Sequence, residues 1–219
     1  MMSEKKEIKI IIASNNEGKI QEIKQILLGF QVCSMREVGI SLKPKEDADS
    51  FLGNAKIKAQ ALYTEVLRQK LEEDFFVLSD DSGICVDALN GEPGIFSARY
   101  AQVKNKTIKE PSDEENRQCL IWALKSKNLE ESQGYFLASM VLIGKYHHKE
   151  IYFEAEGKTQ GKFFTQEKGD YGFGYDSLFI PDSFSRTMAE MESKEKNKIS
   201  HRFKALNQIA NQLKGYLSE

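Results

Sequence analysis

An excess of positive charge, a cysteine pair set for a metal and an apolar run long enough to cross a bilayer are all missing from this 219-residue chain. Lysine and arginine number 31 against 33 for aspartate and glutamate, so no overall positive field draws the protein to nucleic acid or an anionic membrane. Any anion site has to be built locally. The three cysteines, Cys33, Cys85 and Cys119, are far apart, odd in number and without C-x-x-C spacing, which argues against a disulfide framework or a cysteine zinc site and for free buried thiols. The start, MMSEKKEIKI, is charged and its apolar run is short, so neither a secretory leader nor a membrane span is expected, and the cytoplasm is the expected location. Internal repeats, low-complexity tracts and obvious linkers are lacking too.

What is present suffices for a real core: 40% of the residues are hydrophobic and 29% charged. Ile8 to Ala13 has buried-strand character, and from Glu17 the residues Ile20, Ile23, Ile26 and Leu27 repeat at helical spacing. A second amphipathic helix is expected from Ser50 to about Lys70, ending in the charged loop LEED before a strand at Phe75–Leu78. Gly83 to Leu89 suits a further short strand, and NGEPG with FSARYA an irregular segment. Ser112 with Glu115 forms a capping box for a helix burying Leu120, Ile121 and Leu124. YFLASMVLIGKY and EIYFEAEGKTQGKFF read as paired strands about the turn His147-His148-Lys149, whose histidines are read as exposed loop residues without a metal role. After YDSLFIP come a short helical piece near Met188–Glu192 and a final helix opened by Ser200, with Phe203, Leu206, Ile209, Ala210 and Leu213 on one face. The class is therefore α/β with a mixed sheet, and two lobes with a central cleft are one way to arrange it.

Four stretches carry chemistry. Ser14-Asn15-Asn16-Glu17-Gly18-Lys19 links a buried strand to a helix, so backbone N–H groups, the positive helix end and the Lys19 ammonium suit a phosphate, although no P-loop pattern is present. Glu22 lies one turn after Lys19 and could orient it. In SDDSG, at the expected end of the Phe75 strand, Asp80 and Asp81 repel each other and need compensation from solvent, a helix N-terminus, basic side chains or a metal ion. Alternation sends them to opposite sides, and Asp81 is expected to face the site, where a hard cation such as Mg²⁺ would bridge it to phosphate oxygens. Gly169 to Asp176 alternates glycine with aromatics, which brings rings beside close backbone and suits a nucleobase; an ordinary hairpin loop is the plain alternative. Finally, Ser200 at a helix start followed by His201 and Arg202 places cations at the disfavoured end of a dipole, which a nearby anion or polar ligand would resolve.

In this order ASNNEGKIQEI, FLGNAKIKAQAL, SDDSGICVDALNGEPGIFSARYA, GKTQGKFF, KGDYGFGYDSLFIPD and AEMESKEKNKISHRFKAL resemble the Ham1-like inosine triphosphate pyrophosphatase family over nearly the whole chain. The resemblance implies one ITPase-like domain over residues 1–219, bilobed, with an elongated mixed sheet flanked by helices, and a homodimer. It implies hydrolysis of ITP, dITP and XTP to the monophosphate and pyrophosphate, cleansing the nucleotide pool, with Mg²⁺ as cofactor. By motif, Ser14, Asn15, Asn16, Glu17, Gly18 and Lys19 would bind the triphosphate. Asp81 would hold Mg²⁺ and act as general base, with Asp80 its support and second candidate ligand, and Ser82 would contact substrate. Phe173, Gly174, Tyr175 and Asp176 match the base-side loop, and Lys196, His201 and Arg202 the remaining contacts. A donor facing the 6-oxo group would reject adenine by roughly 10⁴, because the 6-amino group leaves it unpaired; guanine must be excluded at its 2-amino group.

One residue departs from the pattern. The family commonly has Glu before the Asn of its FxxNA segment, where it can ligate metal, and this chain has Gly53 before Asn54. Asp80, Glu22 or waters would have to complete the shell, or the ion arrives with the nucleotide. Competing readings are a Maf-like pyrophosphatase, against which SHR after GFGYD argues, and a nucleotide sensor that has lost turnover through Gly53.

Overall fold

Runs of β-branched and aromatic residues form six strands in a computed structural model that describes residues 8–71 and 74–218. Most of the charged start, and Glu72 and Glu73 of the LEED loop, lie outside the described residues. The strands are β1 (Lys9–Ile12), β2 (Gln31–Ser34), β3 (Phe75–Val86), β4 (Glu131–Tyr146), β5 (Lys149–Phe164) and β6 (Phe179–Pro181). The helices are α1 (Glu17–Ile26), α2 (Phe51–Gln69), α3 (Tyr100–Lys104), α4 (Asp113–Lys125), α5 (Ser193–Ile199) and α6 (His201–Leu217). The sheet order is β2-β1-β3-β4-β5-β6, with β1 parallel to β2 and β3 and β5 antiparallel to β6, so the sheet is mixed as expected.

The chain divides into two compact units. In the first, residues up to Asp81 with 139–155 and the chain from Ala205, α2 contributes Ala55, Ala59, Leu62 and Val66 to a core shared with Ile11, Phe75, Val77 and Val141. Ser50 caps α2 by accepting from Gly53 N, and Lys70 ends it in the left-handed region. Each fully buried Leu, Val, Ile or Phe side chain of this core contributes about 2 kcal/mol of transfer free energy. The second unit, residues 82–138 and 156–204, has its own core. There Leu120 and Leu124 of α4 join Ile84, Val86, Phe163 and Phe136, whose ring meets Phe179 edge-on at 4.9 Å. The capping box expected at Ser112 and Glu115 starts α4.

Four features differ from the sequence reading. SDDSG does not end a strand, because β3 runs unbroken from Phe75 to Val86 through both aspartates. The short β2 was not expected, nor was α5, whose KEKNK stretch is too charged to show an apolar period. The fourth is α3, a five-residue helix inside the stretch expected to be irregular.

Candidate active site

Alternation along β3 sends Asp80 and Asp81 to opposite faces, and each meets its own lysine. Asp80 is 1% exposed, and its Oδ2 lies 2.6 Å from Lys19 Nζ. Lys19 is delivered by the first turn of α1, where Asn16 is the N-cap and its Oδ1 accepts from Lys19 N at 2.9 Å. Ser14 Oγ accepts from Asn16 N, and Asn15 donates to the Leu42 carbonyl and accepts from Arg36. Glu17 is exposed and Gly18 half-buried. The cation of this turn is therefore paired with Asp80 rather than standing clear of any acid.

Asp81, also buried, accepts from Lys58 Nζ at 2.7 Å and from Asn54 Nδ2 at 3.3 Å. Lys58 reaches further, to Glu46 Oε2 at 3.1 Å, so one ammonium joins two carboxylates. Burial raises the Asp81 pKa more than Lys58 and then Lys19 lower it, and its carboxyl stands above the ordinary aspartate value. For Lys58 burial favours the neutral amine, but Asp81 and Glu46 together overcome it and the ammonium is held. Asn54 Oδ1 also accepts from Ala48 N at 3.1 Å, which draws the 46–50 segment onto the start of α2. That approach explains Gly53: a Cβ there would sit 2.6 Å from Ala48 Cβ and 3.0 Å from Ser50 Oγ.

In the second unit Arg202, 1% exposed, donates from Nη2 to Ser82 Oγ at 2.9 Å. The buried His201 ring stacks on Phe136 at 4.8 Å, and Ser200 Oγ accepts from Phe203 N, capping the first turn of α6. Asp176 Oδ2 accepts from Phe173 N at 2.9 Å and from the buried Lys196 Nζ at 2.6 Å. Lys196 Nζ and the Arg202 guanidinium stand over the Phe173 ring, at 4.7 and 5.7 Å from its centre. Tyr175 differs from its neighbours, because its side chain is in the core and its hydroxyl donates to the Ser97 carbonyl at 2.8 Å. Gly174 N donates to Asp113 Oδ2 and the Gly174 carbonyl accepts from Arg117 Nη1. A polar cavity of about 380 Å³ lies here, with Phe173, Asp176, Asp113 and Arg117 in its wall.

The first unit thus gathers the 14–19 turn with Asp80, and Asp81 with three residues that motif reading did not single out as site residues: Glu46, Asn54 and Lys58. A signal for two of them existed, since Asn54 and Lys58 are four apart on α2 and interrupt its apolar stripe. Nothing local marked Glu46, which lies in a charged loop. The second unit gathers Ser82 with Arg202, and Phe173 and Asp176 with Lys196. His147 and His148 are exposed at the β4–β5 turn.

The model of the Ham1 family matches residues 10–212. A dITP/XTP pyrophosphatase of Campylobacter jejuni subsp. jejuni serotype O:2 is 42% identical over 199 residues, covering 91% of this chain and 94% of that protein. Among solved structures, the Staphylococcus aureus Ham1 protein matches with a TM-score of 0.75 at 32% identity, and a HAM1 protein from Coxiella burnetii with 0.77 at 30%. Each of these two matches covers 95% of this chain and 99% of the other.

Proposed function

The chain belongs to the Ham1 family, and from that premise we propose that it hydrolyses dITP, XTP and ITP to the nucleoside monophosphate and pyrophosphate. The observation that carries the reading is the pair of buried aspartates on β3, each held by its own lysine. Two buried carboxylates supported by cations cost folding free energy, a cost that function can account for, and a highly charged phosphoanhydride is a substrate class that uses both signs. In the reaction water adds across the bond between the α and β phosphates: its oxygen joins phosphorus, the bridging bond breaks, and pyrophosphate departs. Asp81 accepts the proton of that water, a role that its raised pKa suits, because a more basic carboxylate is a better acceptor near neutrality. Lys19, at the start of α1, and Lys58 turn from their carboxylates to the phosphate oxygens and neutralise the charge that develops there.

The donors fit Mg²⁺ in kind. Asp81 and Glu46 offer carboxylate oxygens around a single ammonium, and Mg²⁺ is commonly held by one or two carboxylates together with phosphate and water. Among the described residues no group of three His, Cys, Asp or Glu is poised for a metal, which supports an ion that arrives with the nucleotide. Asp81 would hold it, with Glu46 as the second acid, whereas Asp80, the other candidate from the sequence, lies on the opposite face of β3 against Lys19. When bound, the ion would neutralise phosphate oxygens and acidify the attacking water.

In the second unit we assign Phe173 to stacking under the purine and Lys196 with Arg202 to the polar edge of the base. A cationic donor at the 6-oxo group rejects adenine. Ser82, held by Arg202, and His201 complete the contacts on this reading. The proposal includes a homodimer, tested by sedimentation, and action on the cytoplasmic nucleotide pool; no helix among the described residues is long and apolar enough to cross a membrane. The decisive assay is pyrophosphate release from ITP, dITP, XTP, GTP and ATP with and without Mg²⁺. Preference for the first three with Mg²⁺ is expected, and nucleotide binding without release would sink the enzymatic reading in favour of a sensor.

A further inference from the structure

The loop assigned to the base is held by a helix that the assignment does not use. The α4 residues Asp113 and Arg117 are four apart and share a face, and both grip the backbone of one residue of that loop. Asp113 Oδ2 accepts from Gly174 N at 2.8 Å, and Arg117 Nη1 donates to the Gly174 carbonyl at 3.1 Å. Gly174 has φ of +63°, so its peptide orientation is one that other residues rarely adopt, and both its polar groups are committed to α4. Arg117 is fixed in turn, because its Nε donates to Glu167 at 2.7 Å, and Glu167 also accepts from Gln118 and Ser177.

The rest of the loop is anchored elsewhere. Lys168 N donates to the Ser177 carbonyl, Tyr171 N to the Ala189 carbonyl, and Tyr175 is rooted in the core. The Gly174 backbone depends on α4, and it lies between Phe173, whose ring faces Lys196, and Asp176, which bonds both Phe173 N and Lys196. A rotation about the Gly174 backbone bonds therefore turns the Phe173 ring and shifts the acid that orients Lys196. We propose that Asp113 and Arg117 are positioning residues for purine selection: by fixing the two peptides that flank the Gly174 Cα they set the angle of Phe173 and the Asp176–Lys196 pair, and with them the choice among bases. The inference rests on the assignment of the 173–176 loop to the base. The capping box at Ser112 and Glu115 fixes the start of α4 independently of both residues, so their removal leaves the helix in place.

The test compares Arg117→Met, Asp113→Ala and Asp113→Asn with the unaltered chain on ITP, XTP, GTP and ATP, together with inhibition by inorganic tripolyphosphate, which has no base. Arg117→Met and Asp113→Ala are expected to raise KM for ITP by about tenfold with kcat within about twofold, a loss of binding shared by ground and transition states. The preference for ITP over ATP should fall by a similar factor. Inhibition by tripolyphosphate should stay unchanged, and Asp113→Asn, whose amide oxygen still accepts from Gly174 N, should keep most of the preference. Unchanged KM and preference in Arg117→Met, or an equal loss of tripolyphosphate affinity in both variants, overturns the proposal. If the unaltered chain shows no preference for 6-oxo purines, the assignment of the loop fails first and takes this inference with it; normal preference with insensitive variants refutes the inference alone.

Discussion

Asp81 carries an electrostatic cost that the proposed reaction would put to use. Its carboxyl is raised because burial outweighs Lys58 and Lys19, so the folded protein binds that proton more tightly than the unfolded chain does. Stability therefore falls as pH rises through the interval between the ordinary aspartate value and the raised one. Asp81→Asn removes that proton linkage and leaves the buried Lys58 ammonium with Glu46 as its acid partner: without metal, the fall in Tm as pH rises from about 4 should be smaller than in the unaltered chain, while turnover drops roughly 10²- to 10⁴-fold and nucleotide binding largely survives. An unchanged fall in Tm over that range, or turnover near normal, would contradict this account of Asp81. Gly53 presents the opposite case, a residue whose missing side chain is structural. Restoring an acid by Gly53→Glu drives a Cβ to within 2.6 Å of Ala48 Cβ and pushes away the segment that brings Glu46 to Lys58. The expected result is a loss of about 1 to 3 kcal/mol in stability and no gain in Mg²⁺ affinity by calorimetry; tighter binding in a protein of normal stability would show that the segment gives way easily.

At the scale of elements, most strands and helices were legible because each core face repeats with its own period, as on α2 and α6. The misreading at SDDSG is instructive. Two adjacent aspartates and a glycine have turn chemistry locally, and β3 continues only because Lys19 of α1 and Lys58 of α2 neutralise one acid on each face. That information lies far away in the sequence, as does the reason for Glu46. Short elements escaped for another reason: β2, with four residues, and α5, whose polar residues bury mainly Lys196, offer too few apolar positions for any period to show. A staple between α1 and β2 gives a prediction at this scale. Glu37 accepts from Ser34 N at the end of β2 and from Lys24 on α1, and these bonds lower its pKa from the ordinary 4.5 to about 2. A depressed carboxyl contributes stability above its unfolded value and loses it as pH falls through the folded one. Glu37→Gln should thus lower the urea midpoint at pH 7 slightly, and the gap should close as pH is lowered from about 4.5 towards 2. A gap independent of pH would assign the effect to packing rather than charge.

For the whole molecule, the near balance of 31 basic and 33 acidic residues means that affinity for a polyanion has to come from rearranging charges already paired. In the first unit two ammonium groups, Lys19 and Lys58, face three carboxylates, Asp80, Asp81 and Glu46. Mg²⁺ alone has to compete with lysines for those carboxylates, and nucleotide alone has to draw the lysines from acids that would then be buried with less compensation. On the proposed reading the two together would exchange partners: phosphate oxygens would take the ammonium groups, and carboxylates would be released to hold the ion. Binding of the two is therefore expected to be strongly coupled, each tightening the other by the same factor. With a non-hydrolysable α,β-imido analogue of ITP, Mg²⁺ alone and the analogue alone should each move Tm by no more than about 2 °C, and the pair at saturating concentrations by about 5 to 10 °C. In Asp81→Asn the extra shift from the pair should shrink towards the sum of the separate shifts, because one of the carboxylates in the exchange is gone. A large shift from Mg²⁺ alone would mean that the free protein already holds a complete metal site, and additive shifts in the unaltered chain would mean that lysines and ion do not trade partners at all.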